Sequence, residues 1–104
     1  MAAEKTPSLP SHTKKTCELF RLLAGYDHVG LAPGEIAKAL GVGAPWVSVN
    51  LPLLAELDFV ERIPDTPRWR LGVTFIRIAN TAFSANADAQ GALQQRMRNM
   101  STSF

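Results

Sequence analysis

The sequence has few of the features that mark several common classes of protein. Its 104 residues include a single cysteine, Cys17, so no disulfide can form within the chain. No apolar run reaches the roughly 18 to 20 residues that a membrane-spanning helix requires, and the first ten residues lack the apolar segment of a secretory signal peptide. These absences predict a cytoplasmic protein without a membrane partner. Cys17 is expected to be a small core residue, because free cysteines are usually buried.

The sequence also lacks the residue patterns of catalytic and metal sites. His12 and His28 lie far apart, and the carboxylates are not spaced as catalytic pairs or metal ligands. Gly41 and Gly43 are not followed by the Gly-Lys-Ser/Thr of a phosphate-binding loop. The sequence therefore predicts neither an enzyme nor a bound metal or cofactor.

The charge of the chain is nearly balanced. Eleven Lys and Arg oppose nine Asp and Glu, and the resulting formal charge of +2 does not by itself identify a nucleic-acid partner. Hydrophobic residues make up 46% of the sequence. A chain of this length and composition can form one compact domain with a single core, and we expect no separate ligand-sensing domain.

Hydrophobic periodicity predicts three helices in the first half of the chain. The first runs from about His12 to Ala24, with Ser11 as its N-cap residue. The second runs from Pro33 to Leu40 and the third from about Pro45 to Leu57. A glycine-containing turn of three or four residues joins the last two, which is the pattern of a helix-turn-helix.

The pattern changes after the third helix. Two short extended runs, Phe59 to Ile63 and Trp69 to Leu71, are separated by a proline-containing turn and predict a β-hairpin. Three helices followed by a hairpin predict a mainly α fold with a small β-hairpin wing, a winged helix-turn-helix over residues 11–72. Thr74 is expected to cap a C-terminal helical segment over residues 73–100, and residues 1–10 and 101–104 are expected to be flexible.

Four segments of the chain resemble the DNA-binding domain of IclR-type transcriptional regulators. They are TCELFRLLA at residues 16–24, LAPGEIAKALG at 31–41, LAELDFVER at 54–62 and RWRLG at 68–72. The resemblance implies a homodimer with its third helix in the major groove and its wing beside the phosphate backbone. The family's effector domain is missing here, so the chain is expected to be a stand-alone form, of a kind familiar from phages and mobile elements.

The resemblance implies a transcriptional regulator, and we expect a repressor that binds double-stranded DNA and is associated with the nucleoid when bound. The candidate DNA-binding residues of the third helix are Ala44, Pro45, Trp46, Ser48 and Val49. The candidate phosphate-binding cations are Lys14, Lys15, Lys38, Arg62, Arg68 and Arg70. If about four cations per subunit bind phosphates, a dimer would have a log–log salt slope of about −7.

The expected recognition helix differs from the family pattern. Residues 44–57 contain no Lys, Arg, Gln or His, so few side chains can hydrogen-bond a base edge. Asn50 is either a base-reading residue or a hydrogen-bonded structural amide, and the structural role is favoured. Pro52 predicts a kink or an early end of this helix.

Two further departures concern partners and the wing. Trp46, Val49 and Leu53 form an apolar stripe on the third helix, so the alternative function is a winged-helix module that binds another protein. Pro67 stands where the family's wing turn usually has glycine, and proline cannot adopt a positive φ. The wing tip is therefore expected to be built differently, which affects the direction of Arg68.

The segment after the hairpin alternates large apolar residues with alanines. The candidate dimer-interface residues are Phe75, Ile76, Ala79, Ala82 and Phe83. A two-fold dimer would place its recognition helices about 34 to 36 Å apart, the spacing of half-sites one turn apart. The alternative is that this helix only completes the core of the monomer.

Overall fold

The computed structural model describes residues 10–86 and 90–100. Its elements, in chain order, are α1 (Ser11–Ala24), α2 (Pro33–Leu40), α3 (Ala44–Glu56), β1 (Val60–Arg62), β2 (Trp69–Leu71), α4 (Val73–Ala85) and α5 (Gln90–Asn99). The expected mainly α fold with a small hairpin is confirmed. The flexible segments expected at residues 1–10, apart from Pro10, and at 101–104 lie outside the described residues.

The core lies where α1, α2, α3 and the hairpin meet. Each of these helices contributes two buried residues four positions apart, because residues at that spacing share one face of a helix. The eight buried apolar residues are Leu19, Leu23, Leu31, Ile36, Leu40, Val47, Leu51 and Val60. The buried residues of the three helices thus follow the helical periodicity from which these helices were predicted.

The turn between α2 and α3 comprises residues 41–43. Gly41 has a φ of 69°, a left-handed conformation that glycine adopts without steric cost, and it ends α2. The N–H of Val42 then donates to the carbonyl of Ala37 at 3.0 Å. Because the turn is so short, α3 begins close to the end of α2, and the expected helix-turn-helix is confirmed.

Two of the expected helix caps are wrong. Ser11 is the first residue of α1, and Pro10 occupies the N-cap position. Thr74 lies inside α4, whose N-cap residue is Gly72, and the Thr74 hydroxyl instead donates to the carbonyl of Leu57 at 2.8 Å. That tertiary hydrogen bond holds the start of α4 against the end of α3.

The expected burial of Cys17 is also wrong, and of the kink or early end expected at Pro52, the early end is wrong. Cys17 is exposed, because it lies two positions before Leu19 and therefore points away from the buried face of α1. Pro52 does not end α3, which continues to Glu56. Proline removes a single backbone donor, and here its exposed side chain lies opposite the buried Val47 and Leu51 that hold the helix on the core.

The hairpin is antiparallel, with Val60 opposite Leu71 and Arg62 opposite Trp69. Leu31 extends it by one bridge, exchanging two backbone hydrogen bonds with Trp69 at 2.8 and 2.9 Å. The wing is therefore attached to the connector between α1 and α2.

The wing tip reaches its turn without glycine. Asp65 takes the positive φ, 63°, that Pro67 cannot adopt. The hydroxyl of Thr66 donates to the carbonyl of Ile63 at 2.8 Å and accepts the N–H of Arg68 at 3.1 Å. The expectation of a differently built tip is confirmed.

The C-terminal segment consists of α4 and α5, and α4 contains no buried residue. Phe75 joins α4 to the rest of the fold through a cluster of three aromatic rings. Its ring centroid lies 4.8 Å from that of Phe20 and 5.1 Å from that of Phe59. Gly91 lies within α5, and Met97 of α5 and the following Met100 are exposed.

Candidate nucleic-acid interface

One side of α3 is exposed along its whole length, and we call it the α3 outer face. Val47 and Leu51 lie on the opposite side and are buried, so they hold the helix against the core. Residues three and four positions apart share a side of a helix, so the exposed residues form a continuous strip. The strip consists of Ala44, Pro45, Ser48, Val49, Pro52, Leu53 and Glu56.

The polar chemistry of this region is limited. The Ser48 hydroxyl donates to the carbonyl of Pro45 at 3.2 Å, and the Asn50 amide donates to the carbonyl of Trp46 at 2.8 Å. The hydrogen bond of Asn50 supports its structural interpretation. On the α3 outer face, Ser48 and Glu56 are the polar side chains, and every other side chain is apolar.

The apolar stripe expected on α3 divides into two parts. Trp46 is half-buried, packs against the core, and lies with its ring centroid 5.8 Å from that of His12 on α1. Val49 and Leu53 remain 57% and 53% exposed. Of the DNA-binding candidates on α3, Trp46 is therefore a packing residue, whereas Ala44, Pro45, Ser48 and Val49 are accessible.

Arg68 holds the wing against the preceding connector. Its Nε donates to the carbonyl of Val29 at 3.0 Å, and its Nη2 donates to the carbonyl of Gly30 at 2.9 Å. The same Nη2 lies 3.2 Å from a carboxylate oxygen of Glu35 at the start of α2. Binding a phosphate through these donors would require breaking internal contacts.

Two further candidate cations also have internal partners. Arg70 Nε lies 2.7 Å from a carboxylate oxygen of Glu61, the residue opposite it in the hairpin. Lys15 Nζ donates to the carbonyl of Leu40 at 2.7 Å and lies 3.4 Å from Glu18. Lys15 thus satisfies a carbonyl at the C-terminal end of α2, where a cation is favourable.

The remaining three candidates are exposed: Lys14 on α1, Lys38 on α2 and Arg62 at the end of β1. Among residues 10–86 and 90–100, none of the three forms an ion pair or a side-chain hydrogen bond. The six cations therefore separate into three that stabilise the fold and three that are available to phosphates.

An open groove adjoins the α3 outer face and has a volume of about 480 Å³. It lies between Pro33 and Gly34 of α2, Pro45 and Ser48 of α3, and Trp69 of the wing. None of the described residues that line it is charged. The first turn of α3 and the wing are thus separated by an apolar depression.

The dimer-interface candidates on α4 have different surroundings. Phe75 belongs to the ring cluster with Phe20 and Phe59, and Phe83 is half-buried, whereas Ala79 and Ala82 are exposed. Ile76 is 59% exposed, and Val73 and Ile78, which are absent from the predicted interface, are exposed as well.

Sequence reasoning also missed part of the α3 outer face. Pro52 and Glu56 lie on it, although Pro52 was interpreted only as a helix breaker. The signal was the spacing of 45, 49, 52 and 56, which places these residues on one side of a helix.

Two classes of site are absent from the part of the chain that the structure describes. No three His, Cys, Asp or Glu side chains are grouped there as metal ligands. None of its helices has both the length and the apolar character needed to cross a membrane.

No protein-family model matches the chain, and no curated protein matches it. The resemblance to IclR-type domains therefore stays a prediction carried by the four sequence segments.

Proposed function

We propose that the chain is a sequence-specific regulator of transcription that binds duplex DNA as a homodimer and acts as a repressor. The observation that carries this proposal is the α3 outer face. This 13-residue helix follows a three-residue turn, packs on the core through one side, and leaves the other side accessible along its length. The major groove of B-DNA is wide enough to admit such a helix.

The available cations support a phosphate-binding role. Lys14, Lys38 and Arg62 lie on three different elements, α1, α2 and the wing, and none of them has a partner within the described residues. Three cations per subunit would release counterions from about six phosphates per dimer, which corresponds to a log–log salt slope of about −5. This slope is shallower than the value of about −7 expected from four cations per subunit.

The exposed apolar surface of α4 supports the homodimer. Two-fold dimers are the commonest closed assembly, and this surface has no cover within the described monomer. A dimer would bind two half-sites on one side of the duplex. Its occupation of a promoter would exclude other proteins, which is the basis for proposing repression.

Titration against random-sequence duplex DNA at low and moderate salt tests the proposal. We expect binding at low salt, with a slope of about −5. The wing offers a matched pair of variants: Arg62→Ala should make the slope shallower by about 2 for the dimer, and Arg70→Ala should leave it unchanged. If the folded protein does not bind at low salt, the proposed function is wrong.

Selection of bound sequences from a random duplex pool tests specificity and symmetry together. A palindromic motif with half-sites about one helical turn apart is the expected result. A pool that shows no enriched motif after selection would contradict sequence-specific binding.

A second candidate function is a winged-helix module that binds another protein. The exposure of Val49 and Leu53 and the apolar groove beside them favour it. Under this alternative, Leu53→Ser would weaken binding to the protein partner, and the wild-type chain would show no affinity for duplex DNA at low salt.

A further inference from the structure

The α3 outer face lacks side-chain donors for a guanine. Guanine presents two acceptors, N7 and O6, in the major groove, and arginine or lysine usually binds them. The face carries no such residue, and the Ser48 hydroxyl already donates its hydrogen to the carbonyl of Pro45. The amide of Asn50 donates to Trp46 instead of the surface. Recognition of G·C pairs by this face would leave the guanine acceptors without partners.

The exposed chemical groups of the α3 outer face instead match those of an A·T pair. Pro45, Val49 and Pro52 supply exposed apolar surface, and the Ser48 oxygen keeps its lone pairs as an acceptor. In the major groove an A·T pair also presents two acceptors, adenine N7 and thymine O4, but beside the N6 donor of adenine it carries the C5-methyl group of thymine, which a G·C pair lacks. Apolar side chains contact the methyl group, and a hydroxyl oxygen can accept from N6.

We propose that α3 identifies its site through thymine methyl groups, with Val49 and Pro45 as the residues that contact them and Ser48 as the acceptor for adenine. This inference rests on the proposed function, that is, on binding of duplex DNA through α3. It specifies the ligand as a duplex whose contacted positions are T·A pairs.

The distribution of charge supports DNA as the occupant of this apolar face. The face itself carries no cation, whereas the three available cations, Lys14, Lys38 and Arg62, lie on the other elements of the winged domain. Separate apolar and cationic groups suit a duplex, whose methyl groups lie in the groove and whose phosphates lie along its edges.

Replacement of thymine by deoxyuridine tests the inference directly, because deoxyuridine lacks only the methyl group. The probe is a duplex from the random-pool selection, synthesised with either base at the contacted positions. Loss of one methyl contact should weaken binding about fourfold, and loss of one in each half-site about 16-fold.

Two variants of α3 assign the effect to a residue. Because both copies carry the substitution, Val49→Ala should weaken binding of the thymine duplex about 16-fold and abolish the difference between the two duplexes at the positions that Val49 contacts. Leu53→Ala is the matched control: Leu53 is similarly exposed but lies further from the helix N-terminus, so the ratio between duplexes should stay unchanged. Thermal unfolding of each variant establishes that it is folded.

The outcomes separate this inference from the proposed function. Equal affinity for the thymine and deoxyuridine duplexes, or a selected motif whose contacted pairs are G·C, would overturn thymine recognition and leave the DNA-binding function intact. Absence of any duplex binding at low salt would overturn both. If Val49→Ala still binds the thymine duplex more tightly than the deoxyuridine duplex by the same ratio, the assignment to Val49 is wrong.

Discussion

The region up to Gly72 and the helices that follow it use apolar residues differently. The first region buries eight apolar side chains among three helices and a hairpin. Helix α4 buries none and contacts the aromatic cluster through Phe75, while Val73, Ile76 and Ile78 remain exposed. The number of apolar residues in a helix is thus a poor guide to how many are buried, because burial also requires another helix or strand that packs against them. The first region contains its facing elements, and we propose that a second copy supplies one for α4.

The largest expected effect comes from making the same substitution in both regions. Ile36 is fully buried and Ile76 is mostly exposed. Ile36→Ala should lower the free energy of unfolding by about 2–5 kcal/mol at any protein concentration. Ile76→Ala should change it by less than about 0.5 kcal/mol at concentrations where the chain is monomeric. Urea denaturation at several protein concentrations measures both, and equal effects in dilute solution would remove the distinction between the regions.

Phe75 joins the two regions through its aromatic contacts, so its removal should have the next largest effect. Phe75→Ala eliminates two aromatic contacts together with the apolar area that they bury. We expect a loss of about 2–3 kcal/mol. Hydrogen exchange should show faster exchange throughout α4, whereas the amides of α2 stay protected. Phe83→Ala is the control, because Phe83 lies outside the ring cluster, and a similar loss in that variant would argue against a specific linking role.

A dimer formed through α4 predicts a third effect, on association. Ile76→Ala removes apolar surface from both copies, so the dissociation constant should rise about thirtyfold, equivalent to about 2 kcal/mol per dimer. Sedimentation equilibrium measures this change, with Ile76→Val as the variant expected to show a smaller one. A wild-type chain that is monomeric at all accessible concentrations would contradict the dimer.

The smallest effect distinguishes the two kinds of cation within the first region. Arg68→Met removes two hydrogen bonds to carbonyls and one ion pair, and we expect a loss of about 1–2 kcal/mol. Arg62→Met removes an exposed side chain without a described partner and should change stability by less than about 0.5 kcal/mol. Chemical denaturation of the two variants compares them, and equal losses would show that Arg68 does not stabilise the wing.

Much of the fold could be predicted from the sequence because its elements depend on neighbouring residues. Gly41 ends α2 where the pattern of buried residues stops, and Asp65 supplies the turn conformation at the wing tip. One failure occurred where a distant group took the place of a local one. Thr74 was expected to cap a helix, but the carbonyl of Leu57, 17 residues away, accepts its hydroxyl hydrogen.

The candidate site was predictable in outline only. The positions of the turn and of the third helix could be predicted from residue spacing. Which side chains remain available to bind DNA could not be predicted in this way. The pair formed by Arg70 and Glu61 could have been inferred from the hairpin register, since opposite charges directly across a hairpin attract. No comparable local signal marked the contact of Lys15 with the carbonyl of Leu40, 25 residues away.

The sequence by itself determined where the three helices and the hairpin lie and that α3 has almost no charge, since both properties depend on residue type and on spacings of a few residues. Only the tertiary structure decided which cations are available and which apolar surfaces are covered. Arg68, for example, binds carbonyls 38 and 39 residues away, at Gly30 and Val29. Such contacts exist only when packing brings distant segments together, because a guanidinium or an isoleucine has no preferred partner until the surrounding elements are in place.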